Sequence, residues 1–267
     1  MAAIELGKQE YCIGGLGYYN KFVIPTDIDN TKKRSKKFLS FNRTSRPHRV
    51  ILLYLAIKNN WLENGLFSFI FPFYENSIGS MESVKNTISS TYPDELNLDY
   101  YTQKICEMLP YELDTQQLPP NQKNGFQSNN NNIDFYLDTY LHIVSETSFF
   151  VGNDCPTLTE KTFRPICNLQ PFIQIGDAHS LKLLKDLGFK TFEPYINESY
   201  DEETNPKIRM SMIEVELNRI NSMSIDEIHE WYHSMMDILV YNQNHMKTFI
   251  NHNPIQHTLE TIKANWR

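Results

Sequence analysis

Short apolar strands alternate with helix-forming segments along much of this 267-residue chain. In the C-terminal half, the pattern predicts strands over residues 138–146, 171–175 and 190–192. Helices are predicted between them, over residues 159–169 and 180–187. Strands that alternate with helices form parallel sheets with helices on both faces.

The same order occurs earlier in the chain. A buried strand is predicted over residues 38–42, followed by a helix from His48 to Gly65 and a second strand over residues 66–71. The helix has apolar residues at helical spacing, and a glycine is common where a helix ends. We therefore expect an α/β protein with a Rossmann-like parallel sheet flanked by helices.

The remaining segments suggest how the chain is organised. Residues 1–36 are predicted to be an irregular N-terminal segment, and residues 37–267 the Rossmann-like domain. An insertion is expected at about residues 75–135, where a helical pattern from Ser80 to Pro110 is interrupted at Pro93 and a polar loop follows. Two long helices, over residues 206–220 and 224–251, are predicted to close the chain.

Net charge and hydropathy limit the classes of partner that the chain is expected to bind. The formal net charge is −7, so neither nucleic acid nor an anionic membrane is expected as a partner. No apolar run approaches the roughly 18 residues of a membrane span, and the first residues lack a signal-peptide pattern. We expect a cytoplasmic protein with no transmembrane segment. Basic residues nevertheless cluster from Lys32 to Arg49, which predicts a local anion site.

The segment that begins at Thr159 is the best candidate for phosphate binding. It follows a strand and opens a helix, and helix starts offer free N–H groups and a positive dipole. Lys161 and Arg164 are three residues apart, so both could address a diphosphate. Glu160 could accept hydrogen bonds from ribose hydroxyls. The alternative is an ordinary helix start, with Thr159 as N-cap and the charged residues in solvent.

A second basic segment follows the first predicted strand. Arg43 and Arg46 lie where that strand ends, and His48 and Arg49 begin the next helix. A ligand site at the end of the sheet would use such residues for phosphate. A solvated loop is the alternative, and nucleic-acid binding is disfavoured by the net charge. His48 could also act as a general base, although a histidine at a helix start is more often structural.

The stretch TEKTFRPICNLQPFIQIGDAHSLKLLKDLGFKTF, residues 159–192, resembles the donor-binding half of GT-B glycosyltransferases. It is similar to the TEK motif of the α-1,3-fucosyltransferase family and, more loosely, to exostosin-like transferases. The block over residues 38–49 resembles the start of such domains in viral and bacterial glycosyltransferases. The resemblance implies that Glu160 contacts ribose, that Lys161 contacts phosphate and that Arg43 is a second phosphate ligand.

It also implies the function. The chain would transfer a sugar from a GDP- or UDP-sugar donor to a glycan or glycoprotein acceptor, with inversion, and with Lys and Arg in place of a metal ion. The nucleotide sugar is a substrate, and no cofactor is expected. The acceptor domain of a GT-B enzyme is reduced or missing in this chain, or a partner chain supplies it. Because the general base normally comes from that domain, the catalytic residue stays unassigned, with Glu146 and His48 as candidates.

Two other functions fit the sequence. The first is a non-catalytic module that binds a nucleotide or a glycan, since the acceptor domain is not evident. The second is a metal-dependent GT-A enzyme that uses Asp27 and Asp29, which form a DxD pattern. A single DxD is a weak signal.

Glu146, at the end of a predicted strand, could also bind a sugar hydroxyl or the acceptor. Asp154 and Asp177 are weaker candidates of the same kind, at strand ends or in loops.

Overall fold

The computed structural model describes residues 2–6, 9–13, 24–26, 28–70, 80–113, 133–150 and 156–251. The strands are β1 (Ala2–Leu6), β2 (Gln9–Ile13), β3 (Lys36–Asn42), β4 (Gly65–Phe69), β5 (Thr139–Ser145), β6 (Thr157–Leu158) and β7 (Phe172–Ile175). The helices are α1 (Pro47–Lys58), α2 (Met81–Thr91), α3 (Leu98–Met108), α4 (Ile133–Asp138), α5 (Glu160–Cys167), α6 (Ser180–Asp186), α7 (Pro206–Ser222), α8 (Ile225–Ser234) and α9 (Met236–Asn251).

The central sheet has four parallel strands in the order β4-β3-β5-β7. The chain passes from β3 through α1 to β4 on one side, and from β5 through α5 to β7 on the other. Right-handed crossovers in these two directions place α1 and α5 on opposite faces of the sheet. The predicted α/β class with a helix-flanked parallel sheet is therefore confirmed.

Helix α1 is buried on all sides. Residues 50–56 (VILLYLA) are fully buried, which fits a helix without a polar face. The insertion between β4 and β5 supplies part of its cover, because α2 and α3 pack on α1. The ring of Tyr54 lies 5.3 Å from that of Tyr92 and 5.1 Å from that of Tyr101. As predicted, the helical pattern of this insertion is interrupted near Pro93.

The predicted end of the first helix at Gly65 is wrong. Helix α1 ends at Lys58, and the chain reverses through Asn60, whose φ is 56°. Gly65 is instead the first residue of β4, where it pairs with Phe38 of β3. Its missing side chain serves packing, because a Cβ there would clash with the Phe67 ring and lie 3.0 Å from Cβ of Phe38.

We expect Gly65→Ala to lower the free energy of unfolding by about 2 kcal/mol, since overpacking a well-packed core costs about 1–3 kcal/mol. Gly176→Ala is the control, because an added Cβ there meets only the side chains of Ser180 and Gln174, at 3.2 Å or more. Urea denaturation of both variants measures the difference. Equal losses would contradict the packing role of Gly65.

The strand predicted over residues 190–192 is absent, because side chains form hydrogen bonds with the backbone groups that would pair with a neighbouring strand. The amide of Asn242 accepts from the N–H of Lys190 and donates to its carbonyl, both at 2.8 Å. The N–H of Phe192 donates to Oε1 of Glu198 at 2.7 Å. These bonds to α9 and to the following loop replace those of a neighbouring strand.

Both ends of the chain differ from expectation. The segment predicted as irregular contains β1 and β2, which pair antiparallel, while β2 also pairs parallel with β6. Gly14, Gly15 and Gly17 lie outside the described residues. At the other end, the helix predicted over residues 224–251 is interrupted at Met235, giving α8 and α9. None of the helices described is long and apolar enough to cross a bilayer.

Candidate functional site

The strand order reverses between β3 and β5. The chain leaves the carboxyl ends of these neighbouring strands in opposite directions, through α1 and through α5. Such a reversal opens a crevice at the strand ends, where open α/β sheets bind their ligands. The residues that follow Asn42 in β3 and Ser145 in β5 therefore define the candidate site.

The guanidinium of Arg49 joins the ends of these two strands. Its Nη1 donates to the carbonyl of Thr44 at 2.8 Å, and its Nη2 donates to the carbonyls of Ser145 and Glu146, each at 3.1 Å. The residue is 3% exposed, and no carboxylate in the described part of the chain forms an ion pair with it. Burial, followed by the charge of Arg46, lowers the pKa of Arg49 to about 10, while the charges of Glu146 and Glu160 act in the opposite direction. At neutral pH it is thus a buried cation whose hydrogen bonds go to neutral acceptors and whose charge two nearby carboxylates compensate in part.

His48 is a neutral, buried ring beside that cation. Burial first, and then the charge of Arg49, lowers its pKa to about 3, and the charges of Arg46 and Lys161 act in the same direction. The carbonyl of Glu146 can only accept, so Nε2 carries the proton and donates to it at 2.9 Å. Nε2 therefore has no lone pair for the proton of a substrate hydroxyl.

The carboxylate of Glu146 holds the first turn of α5. Its Oε1 accepts from the N–H of Thr159 at 2.9 Å and from the hydroxyl of Thr162 at 2.7 Å. Its Oε2 accepts from the hydroxyl of Thr159 and from the N–H of Thr147. Glu146 is fully buried, so its side chain does not reach a sugar or an acceptor in this structure.

Two consecutive residues thus tie α1 and α5 to the same strand end. Side chains of successive strand residues point to opposite faces of a sheet. The Ser145 hydroxyl accepts from Nε of Arg49 in α1 at 3.3 Å, whereas Glu146 binds the start of α5 on the other face. The positions of the two helix starts are therefore coupled through residues 145–146.

Lys161 lies at the start of α5, as predicted. Its Nζ donates to Oγ1 of Thr159 at 3.0 Å and to Oε1 of Glu160 at 3.1 Å, with Oγ1 of Thr147 at 3.4 Å. The predicted N-cap is confirmed, since the Thr159 side chain accepts from the N–H of Lys161. The Lys161 side chain is 27% exposed, so the ammonium is both positioned and accessible.

The start of α1 is also cationic. Arg46 is its N-cap residue and is exposed, Pro47 occupies the first helical position, and the first turn contains no acidic residue. Arg43 directly follows β3 and is half-buried. The charges of Arg46 and Lys161 both lower the pKa of His48, so each basic segment of the sequence places a cation near this ring.

Glu160 and Arg164 lie on the outer side of α5. Burial raises the pKa of Glu160, but Lys161 and Arg164 outweigh it, so the pKa is below its usual value and the carboxylate is ionised at neutral pH. Arg164 belongs to the last turn of α5, and its charge also lowers the pKa of His142 in the middle of β5. It is thus one helical turn further from the strand ends than Lys161.

A second set of contacts fixes the segment after β5. Ser148 donates to Asp177, which follows β7, at 2.8 Å. Nη2 of Arg209 in α7 donates to the carbonyl of Phe149 at 2.6 Å, and the guanidinium lies 4.5 Å from that ring. Burial raises the pKa of Asp177. Asp154 lies outside the described residues.

The hydrogen bonds of Glu146 with Thr159 and Thr162 were not predicted from the sequence. Thr159 and Thr162 are three residues apart at a helix start, and a carboxylate ends the preceding long strand. These are the only local signals. The pairing itself spans 13 and 16 residues.

Asp29, the described carboxylate of the DxD pattern, lies away from this crevice. Asp27 is outside the described residues. Asp29 accepts from the N–H and hydroxyl of Thr31 and pairs with Lys32 at 3.8 Å. The adjacent Asn30 contacts Arg34, which donates to Thr139 at the amino end of β5. The described residues include no group of three or more His, Cys, Asp or Glu side chains placed to hold a metal ion.

No protein-family model, no curated protein and no solved structure matches the chain.

Proposed function

We propose that this chain is a glycosyltransferase that takes its sugar from a nucleotide-diphosphate sugar and binds the diphosphate between the ends of β3 and β5. The observation that supports this most is the buried cation of Arg49, with Arg46 and Lys161 beside it at two helix starts. A buried charge is costly unless an opposite charge compensates it. The charges of Glu146 and Glu160 compensate Arg49 in part, and a diphosphate would add negative charge where helix dipoles also favour an anion.

The proposed chemistry needs fixed positive charge. An acceptor hydroxyl attacks the anomeric carbon, and the bond from that carbon to the β-phosphate oxygen breaks with its electron pair on the phosphate. Lys161 and Arg46, which are accessible, would stabilise the departing diphosphate without a metal ion. The acceptor, a glycan or a glycoprotein, loses its hydroxyl proton to a base.

The sequence resemblance supports the assignment of ribose and phosphate contacts. Glu160 is ionised at neutral pH and neighbours Lys161, so it could accept from ribose hydroxyls while the ammonium binds phosphate. Arg43, at the end of β3, would be the second phosphate ligand. Arg164 would contact the donor further from the strand ends, or only orient Glu160.

Nucleotide binding tests the proposal. GDP, UDP and their sugar conjugates are added to the protein with a chelator present, and thermal unfolding is followed. A ligand at about 100 times its Kd should stabilise the fold by about 2.7 kcal/mol, which raises Tm by about 5 °C or more. We expect Lys161→Ala to abolish that shift.

Lys207→Ala is the matched control, because Lys207 is an exposed lysine in α7, away from the crevice. It should keep the full shift. A shift that needs a divalent cation would favour the GT-A alternative with Asp27 and Asp29. No shift with any nucleotide would refute a donor site between β3 and β5.

A non-catalytic binding module is the second candidate, and one observation favours it. Both carboxylate oxygens of Glu146 are occupied, and Nε2 of His48 donates to a carbonyl. His48 is 2% exposed and its pKa is about 3, so its remaining ring nitrogen, Nδ1, is a weak base that a substrate hydroxyl does not reach in this structure. A base from a partner chain or from the acceptor would restore activity, so nucleotide binding without transfer over a broad acceptor panel would identify the module.

A further inference from the structure

An open groove of about 420 Å³ lies between the start of α1 and one face of α2. Pro47 forms one wall. The other wall is polar and consists of Ser80, Glu82, Ser83, Asn86, Thr87 and Ser90. This volume falls within the roughly 300–1,000 Å³ of small-molecule sites.

The sequence of α2 explains why the groove is open and polar. Ser83, Asn86, Thr87 and Ser90 recur at helical spacing and share a face, while Val84 and Ile88 are buried towards the core. Because the four side chains on that face are short, they leave space above the helix. They offer hydroxyl and amide groups that both donate and accept hydrogen bonds.

The lining selects the chemistry of the occupant. Among the described residues that line the groove, Pro47 is the only apolar one, so this lining offers little to an apolar ligand. The same described lining contains one carboxylate, Glu82, and no Lys or Arg, so it would not compensate a second anion. A neutral molecule with many hydroxyl groups matches donors and acceptors on this surface.

The groove also opens beside the cationic crevice. Pro47, its wall on α1, directly follows Arg46 and precedes His48. A ligand in the groove would therefore lie next to the helix start at which the diphosphate is proposed to bind. The polar groove and the cationic crevice are adjacent but differ in charge.

We infer that this groove is a saccharide site and that it holds the sugar acceptor. The saccharide class is argued from the lining alone, whereas the role as acceptor rests on the proposed function. In that role, a hydroxyl of the bound saccharide is directed towards the donor at the start of α1.

Backbone-amide NMR of the full chain tests the inference. Maltose, lactose and N-acetylglucosamine are added separately at millimolar concentration, and the resonances of α2 are followed. We expect at least one probe to shift amides of α2 that line the groove. Ser90→Lys should weaken that binding by about tenfold or more, since it fills one end of the groove.

Ser89→Lys is the matched control. The Ser89 and Ser90 hydroxyls each donate to the carbonyl three residues earlier, but only Ser90 lines the groove. Ser89→Lys should bind the probe as the wild type does. Equal binding by the Ser90 variant, or no shift in α2 with any probe, overturns the inference.

GDP and UDP binding, measured on the same samples, separates the two proposals. Both serine variants should keep the nucleotide-induced rise in Tm, because neither changes the cationic crevice. Nucleotide binding without saccharide binding leaves the proposed function in place and refutes the groove. Saccharide binding at α2 without nucleotide binding supports the groove and refutes the donor site.

Discussion

Acidification from pH 6.5 to about pH 4.5 is expected to lower the free energy of unfolding through two histidines that are buried as neutral rings, by about 5 kcal/mol for the pair. His48 is 2% exposed and His142 is 4% exposed. Burial is the main cause that lowers the pKa of each from 6.5 to about 3. When the chain unfolds at pH 4.5, each histidine therefore binds a proton that it does not bind in the folded chain.

The direction follows from proton binding. Between pH 6.5 and pH 3 the unfolded chain binds a proton on each histidine and the folded chain does not, so stability falls as the pH falls. Each group contributes about 2.3 kcal/mol between pH 6.5 and pH 4.5, because the histidine of the unfolded chain is already half-protonated at pH 6.5. Buried carboxyls act the other way, because burial raises the pKa of Asp177, Glu198 and Asp201.

Histidine variants separate these contributions. Urea denaturation at both pH values is compared for the wild type, His48→Gln, His142→Gln and the double variant. Each single variant should remove about half of the histidine-dependent loss, whatever its stability at pH 6.5. A pH dependence that is the same in the double variant and the wild type would mean that these rings do not resist protonation.

The parts of the fold that depend on local sequence could be predicted. The period of apolar residues located the four parallel strands and α1, and a threonine before acidic and basic residues marked the start of α5 at Thr159. Both features act within a few residues of the chain. The sequence also placed Arg43 directly after a strand and Lys161 at a helix start, and both have these positions in the structure.

Contacts between distant residues could not be predicted. Gly65 resembles a helix terminator until β3 and β4 pair and place it against Phe38 and Phe67. Residues 190–192 resemble a strand, but Asn242, 52 positions away from Lys190, occupies their backbone groups. In each case a tertiary contact overrides a local preference, and the sequence carries no nearby signal of it.

The same limit applies to the roles of residues at the site. Glu146 and Arg49 were identified as polar residues near strand ends, where one could bind a sugar and the other a phosphate. In the structure, Glu146 is buried, and Arg49 donates to the carbonyl of Glu146, which lies 97 positions further along the chain. Burial decides which charged residues face a ligand and which hold the site together, and it depends on the whole fold.

Glu146→Ala is expected to lower the free energy of unfolding by about 4 kcal/mol. The change removes the carboxylate oxygens that accept from the hydroxyls of Thr159 and Thr162, of which Thr162 keeps its bond to Gln174. It also leaves the backbone N–H groups of buried Thr159 and half-buried Thr147 without this partner. Each buried donor left unsatisfied costs about 1–3 kcal/mol. Urea denaturation at neutral pH measures the loss.

Two further variants show whether the contacts of the carboxylate, rather than its charge, carry this effect. Glu146→Gln keeps an oxygen for Thr159 and Thr162 but turns an amide N–H₂ towards the N–H of Thr147, so its loss should lie between those of the wild type and Glu146→Ala. Glu193→Ala, an exposed carboxylate on the same chain, should change stability by at most about 0.5 kcal/mol. If Glu146→Ala costs no more than Glu193→Ala, Glu146 does not hold α5 to β5. Lys161 would then lack the fixed position that phosphate binding at the strand ends requires.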